Sequence, residues 1–231
     1  MKTGPGSLNK DEQEVVISYE GLRLNGILSI PKNAKGLVIF AHGSGSSRWS
    51  SRNNFVAREL RKAGLATLLM DLLTPDEEND RAEVFNIESL AQRLIVAKNW
   101  LQTQKATRSL LVGYFGASTG AGAALVAAAR EPKNIFAVVS RGGRPDLADR
   151  ELRNVKAPTL LIVGGDDDVV IDLNRQAYSE LPSQKKIEII PGATHLFEEP
   201  GTLEQVAALA TRWFNNYLIS SATTQDFRPS P

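Results

Sequence analysis

Gly116-Ala117-Ser118-Thr119-Gly120, reached through the apolar run Leu110-Leu111-Val112 and followed by Ala121-Gly122-Ala123-Ala124-Leu125, decides how this chain is read. A G-x-S-x-G pentapeptide between a strand and a helix makes a sharp turn. The small residues two before and two after the serine keep the neighbouring backbone from colliding with it. The pattern predicts a Ser118 hydroxyl at the tip of such a turn, with a helix over 119–130 behind it. Taken alone, the pentapeptide also fits a polar loop, so the rest of the chain has to decide.

A serine hydroxyl is a weak nucleophile, and it needs a base whose tautomer is fixed by a third group. The chain has two histidines. His195 lies in the turn Pro191-Gly192-Ala193-Thr194-His195 after the strand-like Ile187-Glu188-Ile189-Ile190, and His42 follows the apolar run Leu37-Val38-Ile39-Phe40. Both sit at the carboxyl end of an expected strand, where open α/β sheets place their ligands. His195 is assigned the base role because it follows both the serine and the acid candidates, one of the recurrent chain orders of such a triad. His42 is assigned to shaping the loop Gly43-Ser44-Gly45 and is also a candidate substrate contact.

The acid is sought in Leu160-Leu161-Ile162-Val163-Gly164-Gly165-Asp166-Asp167-Asp168, where a buried-strand pattern runs into a Gly-Gly turn carrying three carboxylates. Only one can orient the histidine, and adjacent carboxylates repel one another, so the chosen one needs the imidazole N–H and backbone donors. Residue chemistry alone leaves Asp166 and Asp168 open beside Asp167.

Alternation over 15–19 and 22–30 around Glu20-Gly21 predicts an antiparallel hairpin. Strands are then expected at 37–41, 66–72, 110–114, 137–140, 159–163 and 186–190, and their continuous apolar runs fit a parallel sheet covered on both faces. Phe55, Val56, Leu60 and Ala63 recur at helical spacing and end at Gly64, an expected C-terminal cap. Ile87, Leu90, Ala91, Leu94, Ile95 and Leu101 form a second stripe. A last helix is expected from the capping-box pattern Thr202-x-x-Gln205, burying Leu203, Val206, Ala210, Trp213, Phe214 and Tyr217. The fold class is therefore α/β, a mostly parallel sheet with an N-terminal hairpin and helices on both faces. One domain is expected over 15–219, with a flexible stretch 1–14 and a disordered tail 220–231. Gly4-Pro5-Gly6-Ser7 resembles a fusion scar.

Taken together, these residues resemble the α/β-hydrolase superfamily, most of all the small dienelactone hydrolases and carboxylesterases, over about 15–218. The family's His-Gly-x loop matches His42-Gly43-Ser44, its nucleophile turn matches Gly116 to Gly120, and its histidine turn matches Gly192-Ala193-Thr194-His195. Its acid turn, a glycine followed three residues later by aspartate and then by valine, matches Gly164, Asp167 and Val170, which selects Asp167. Dienelactone hydrolases proper use a cysteine nucleophile, and this chain has no cysteine. The resemblance thus implies serine-esterase chemistry rather than the specific dienelactone activity. It also implies an oxyanion hole of two backbone N–H groups, Thr119 directly after the nucleophile and Ser44 in the loop after the third strand.

Net charge is +1 and the charges are interspersed, so there is no electrostatic footprint for nucleic acid. The absence of cysteine and of an apolar signal segment leads to the expectation of a cytoplasmic protein that does not bind membranes. The glycines at 116, 120 and 122 also fit a dinucleotide turn. That rival needs an acidic residue about 20 positions on, where Ser140 and Arg141 stand, and a Tyr-x-x-x-Lys pair that the sequence lacks. No cofactor and no metal are expected, since both histidines have other uses. A catalytically silent binding protein on the same fold is the remaining alternative.

The expected substrate is a small ester in an open cleft, because 74–86 and Arg141-Gly142-Gly143-Arg144-Pro145 are too short for a cap domain. Trp49, Tyr114, Phe115 and Phe197 are candidates for its walls. Arg141 and Arg144 are candidates for gripping a substrate carboxylate or phosphate.

Overall fold

Strands β1 (Glu12–Tyr19) and β2 (Leu22–Ser29) form the expected hairpin, turning at Glu20 and Gly21, both at positive φ. A two-residue turn of that kind matches the right-handed twist of the flanking strands. The computed structural model describes residues 11–219. The stretch 1–10, with Gly4-Pro5-Gly6-Ser7, and the tail 220–231 lie outside the described residues. Residues 12–14, expected in the flexible N-terminus, instead belong to β1, where Glu12 pairs with Ser29 and takes an ion pair from Arg61 at 2.9 Å.

The chain continues through β3 (Gly36–Ala41), α1 (Ser51–Lys62), β4 (Leu65–Met70), the single turn α2 (Arg81–Val84) and α3 (Ile87–Thr103). It then runs through β5 (Leu111–Ala117), α4 (Thr119–Arg130), β6 (Ile135–Arg141), β7 (Thr159–Gly164), α5 (Asp168–Glu180), β8 (Lys185–Ile190) and α6 (Thr202–Phe214). The strands form one sheet in the order β1-β2-β4-β3-β5-β6-β7-β8. β2 runs antiparallel to β1 and β4, and every other neighbouring pair is parallel. Every residue of β3, β4 and β7 is buried, as a sheet covered on both faces requires.

Two apolar layers cover the sheet. On one face Val56 and Leu60 of α1 meet Val206, Ala210 and Phe214 of α6 over Val38, Phe40 and Val139. On the other, Leu94 and Leu101 of α3 and the alanines of α4 pack on Leu37, Ile39 and Val112. Fully burying a leucine-sized side chain is worth about 1.5–3 kcal/mol, so the stripes read from the sequence are what seat α1, α3 and α6. The α3 stripe also buries Arg93 and Lys98, each neutralised by a carboxylate, Glu77 at 2.7 Å and Glu131 at 3.0 Å.

Helix ends show where local signals were obeyed and where a neighbouring acceptor overrode them. Ser50 caps α1 by accepting from the Asn53 N–H, and Gly64 ends that helix at φ +83, as expected. The Thr202-x-x-Gln205 capping box does not form. Gly201 is the cap residue, and the buried Thr202 hydroxyl donates back to the Glu199 carbonyl at 2.7 Å, tying the helix to the preceding loop. Trp213 and Tyr217 are only half-buried. Helix α5 carries no signal as strong as the acidic turn before it, yet Val170, Ile171 and Ala177 seat it on the sheet.

Candidate active site

The serine, acid and histidine turns and the first arginine all lie at the carboxyl end of a parallel strand. Ser118 follows β5, Asp167 follows β7, His195 follows β8, His42 follows β3 and Arg141 ends β6.

Ser118 has φ 51° and ψ −124°, a conformation that costs a non-glycine residue about 1–3 kcal/mol and persists only when the surroundings enforce it. The enforcement is visible. A Cβ on Gly116 would lie 2.4 Å from Ala121 Cα, and one on Gly120 would lie 2.3 Å from the Ala41 carbonyl oxygen, so both glycines permit approaches that no side chain would. The Ser118 carbonyl accepts from the N–H groups of Ala121 and Arg144, both at 3.0 Å. The serine is half-buried, and its Oγ makes no hydrogen bond among the described residues.

The acid turn and the histidine turn are laced together by backbone. Gly165 N–H donates to the Ile190 carbonyl at 2.8 Å and Asp166 N–H to the Ala193 carbonyl at 3.0 Å. A Cβ on Gly164 would lie 2.3 Å from the Ala193 oxygen. Within this frame Asp167 Oδ2 lies 2.7 Å from His195 Nδ1. Asp167 is the cap position of α5, where an aspartate normally accepts from the first-turn N–H groups. Its carboxylate makes no such bond and turns to the imidazole instead. Asp166 and Asp168 are exposed, so of the triplet only Asp167 meets the ring. An acceptor at Nδ1 keeps the proton there and leaves the Nε2 lone pair available.

The loop beyond the ring is held by Glu199, which accepts from Thr194 N–H at 3.1 Å and from its hydroxyl at 2.6 Å. The Thr194 hydroxyl bond is the main reason its carboxyl titrates below the ordinary glutamate range. No motif announces Glu199. It lies five positions after Thr194, and the turn at Phe197, φ 56, brings the two together.

His42 is different in kind. It is 5% exposed, and its Nε2 accepts from the Leu72 N–H at 2.9 Å, which obliges the proton to sit on Nδ1, facing the Gly43 carbonyl at 2.9 Å. Burial lowers its pKa. With both nitrogens engaged by backbone, His42 braces the β3 loop against the β4 loop. Leu72 is held from the other side by Arg93, which donates to its carbonyl.

The two expected oxyanion donors do not stand alike. Thr119 opens α4, and its N–H has no partner among the described residues, so it stands at the positive end of a 12-residue helix. The Ser44 N–H instead donates to Thr119 Oγ1 at 3.0 Å.

The wall candidates divide as well. Tyr114, Phe115 and Phe197 are core residues, at most 2% exposed, with Phe115 packed on Phe40 at 4.9 Å between centroids. Trp49 lines an open cleft of about 600 Å³ with Gly45, Arg48, Arg52, Leu73 and Pro75, and Arg48 stacks over its ring. Arg48 in turn is paired with Asp71 at the end of β4. The segment 74–86 builds only short turns, and residues Pro145–Asn154 form 3-10 turns whose Leu147 lies beside Gly122 of α4.

Arg144 is paired bidentately with Asp146 at 2.8 and 2.7 Å, which raises its pKa. Arg141 is 6% exposed, with one long hydrogen bond to Asn53 Oδ1 at 3.5 Å and its guanidinium over Phe197. It forms no ion pair among the described residues. Burial, and then the neighbouring Arg52, push its pKa down to about 10. Among the described residues no three His, Asp or Glu side chains converge as metal ligands, and no helix is long and apolar enough to cross a membrane.

A family model described as the dienelactone hydrolase family matches residues 24–218. The crystal structure of a dienelactone hydrolase from Anabaena variabilis is 56% identical, with a TM-score of 0.87, covering 90% of this chain and 99% of that one. An α/β serine hydrolase without lid from Xanthomonas campestris shares the fold at 17% identity and a TM-score of 0.75, over 93% and 98% of the two chains. A Mycobacterium tuberculosis protein named "Putative phosphoribosyl transferase" is 60% identical over 207 residues, 90% of this chain and 47% of the relative. The chain therefore spans about half the length of these curated relatives.

Proposed function

As the chain belongs to the dienelactone hydrolase family, and carries a strained serine at a strand-to-helix turn, we propose that it hydrolyses a carboxylic ester through an acyl-enzyme on Ser118. The observation that carries the proposal is the 2.7 Å bond from Asp167 to His195, made by a carboxylate that forgoes its helix cap. Ser118 Oγ attacks the ester carbonyl carbon and gives its proton to His195 Nε2, while Asp167 holds the Nδ1 proton and steadies the imidazolium. The carbonyl electron pair moves onto oxygen, where the Thr119 N–H meets it. Collapse expels the alcohol, which takes the proton from His195. Water, deprotonated by the same histidine, then releases the acid. Ser118 Oγ and the imidazole are not yet bonded, and such contacts often close only around substrate.

Thioesters and small amides are the next substrates in order. An acidic group on the ester is part of the proposal, because a buried guanidinium with five donors and one long bond is matched by a carboxylate or phosphate. The transferase name belongs to relatives about twice the matched length, and what it says of them is not carried into this proposal. Action in the cytoplasm on a small-molecule ester belongs to the same proposal and rests on composition. A fluorophosphonate should label Ser118 in the wild type and leave Ser118→Ala unlabelled, with ester turnover lower by several orders of magnitude. No burst with an activated ester would favour a silent binding protein instead.

A further inference from the structure

The bond from the Ser44 N–H to the Thr119 hydroxyl occupies a donor that a loop in this position would otherwise aim at a reacting carbonyl. A threonine hydroxyl accepts through its lone pairs and still has one proton to give. Thr119 Oγ1 accepts from Ser44 at 3.0 Å, and its own proton has no acceptor among the described residues. The residue is 4% exposed, so bulk solvent does little for that proton.

We infer that Thr119 offers the oxyanion two donors, its backbone N–H and its side-chain hydroxyl, with the Ser44 N–H holding that hydroxyl from behind. The inference rests on the acyl-enzyme at Ser118 proposed above. In the chain N–H···O–H···O⁻ each link polarises the next, so the Ser44 dipole still reaches the developing charge. The parts are held in place. The first turn of α4 is pressed onto β3 where a Cβ on Gly120 would lie 2.3 Å from the Ala41 oxygen, and a Cβ on Gly43 would lie 2.9 Å from Ser118 Cβ. The buried His42 anchors the loop that carries Ser44 through Leu72.

As the bond from Ser118 Oγ to the carbonyl carbon forms, the carbonyl electron pair becomes the oxyanion and the serine proton passes to His195. Thr119 donates a hydrogen bond and keeps its proton. Because the negative charge exists only at the tetrahedral stage, the hydroxyl should act on the rate far more than on substrate binding.

Thr119→Val keeps the shape and the backbone N–H and deletes the hydroxyl; Thr119→Ser restores it. Thr119→Val should lower kcat by ~10²-fold with little change in KM, and slow fluorophosphonate labelling by a similar factor. It should weaken an alkyl boronic acid, which mimics the tetrahedral stage, by the same factor while leaving the affinity for the product acid unchanged. Thr119→Ser should recover all three, and thermal melts of both variants should match the wild type. Unchanged or raised kcat in Thr119→Val would overturn the inference, because the hydroxyl would then be a plug whose removal frees the Ser44 donor. If Thr119→Val melts early, Thr119→Ala against Thr119→Ser decides by the same readings. A wild-type chain that does not label at Ser118 would bring down the acyl-enzyme proposal itself, which separates the two failures.

Discussion

The two histidines occupy equivalent places, each just beyond the carboxyl end of a parallel strand, and their surroundings give them opposite properties. His42 is sealed between two loops with both ring nitrogens committed to backbone, and burial lowers its pKa. His195 has a side chain 37% exposed, one nitrogen held by Asp167 and the other without a partner among the described residues. A ring whose nitrogens are both spent can brace a structure but cannot shuttle a proton. A ring held at one nitrogen can. Position at a strand end therefore nominates a residue, and the count of remaining hydrogen-bond valences decides what it does.

The largest effect should come from the exposed member of the pair. His195→Ala should reduce kcat on an activated aryl ester by roughly four to six orders of magnitude, with an unchanged melting temperature because the side chain supports little of the core. Asp167→Asn should lose on the order of 10⁴-fold by presenting the wrong tautomer, whereas the exposed Asp166→Asn and Asp168→Asn should stay near wild type. If turnover survives in His195→Ala, the division between the rings is broken.

His42→Ala should fall on the other side of the comparison, losing on the order of a hundredfold in kcat as the loop carrying Ser44 relaxes. It should also lose about 1–3 kcal/mol of stability in urea unfolding, because the Leu72 N–H is left buried and unpaired. The acid limb sharpens the contrast. A histidine whose folded pKa lies below the unfolded value of about 6.5 contributes its full stability above that pH and loses it as the pH falls. His42→Gln, which keeps an acceptor for Leu72 without titrating, should show a shallower loss of stability below about pH 6.5 than the wild type. Equal acid limbs would mean that His42 is not held neutral.

The smallest expected effect applies the same valence count to the two arginines. Arg144 is already spent on Asp146, and Arg141 has donors to spare. Arg141→Gln should cut the preference for an ester bearing a carboxylate over its neutral isostere by about tenfold or more, and raised salt should weaken that preference in the wild type. Arg144→Gln should leave it alone. Identical kcat/KM ratios in all three proteins would assign Arg141 to the scaffold.

Much of this architecture is legible in the sequence. Period-two alternation over β1 and β2, the apolar runs of the inner strands and the helical stripes of α1, α3 and α6 are one-dimensional signals of burial, and burial is what seats these elements. Misreadings fall where a side chain had two possible partners. Thr202 had the composition of a cap and gave its hydroxyl to the Glu199 carbonyl. Phe115 and Phe197 had the positions of pocket walls and went to the core. The Thr202 cap, a local preference worth about 1 kcal/mol, gave way to an acceptor three residues back, and the two phenylalanines gave way to burial against residues from distant parts of the chain.

By itself the sequence determined the order of the strands and of helices α1, α3, α4 and α6 along the chain, the serine turn, and the candidate list of two histidines, three aspartates and two arginines, because these depend on residue type and spacing alone. The tertiary structure alone decided which histidine is walled in, that Ser44 donates to the Thr119 hydroxyl, and which of the two arginines has no ion pair among the described residues. Those outcomes depend on where β3, β5, β6, β7 and β8 end relative to one another. Parallel strands set residues far apart in sequence within a few ångströms, and no spacing along the chain encodes which of them meet.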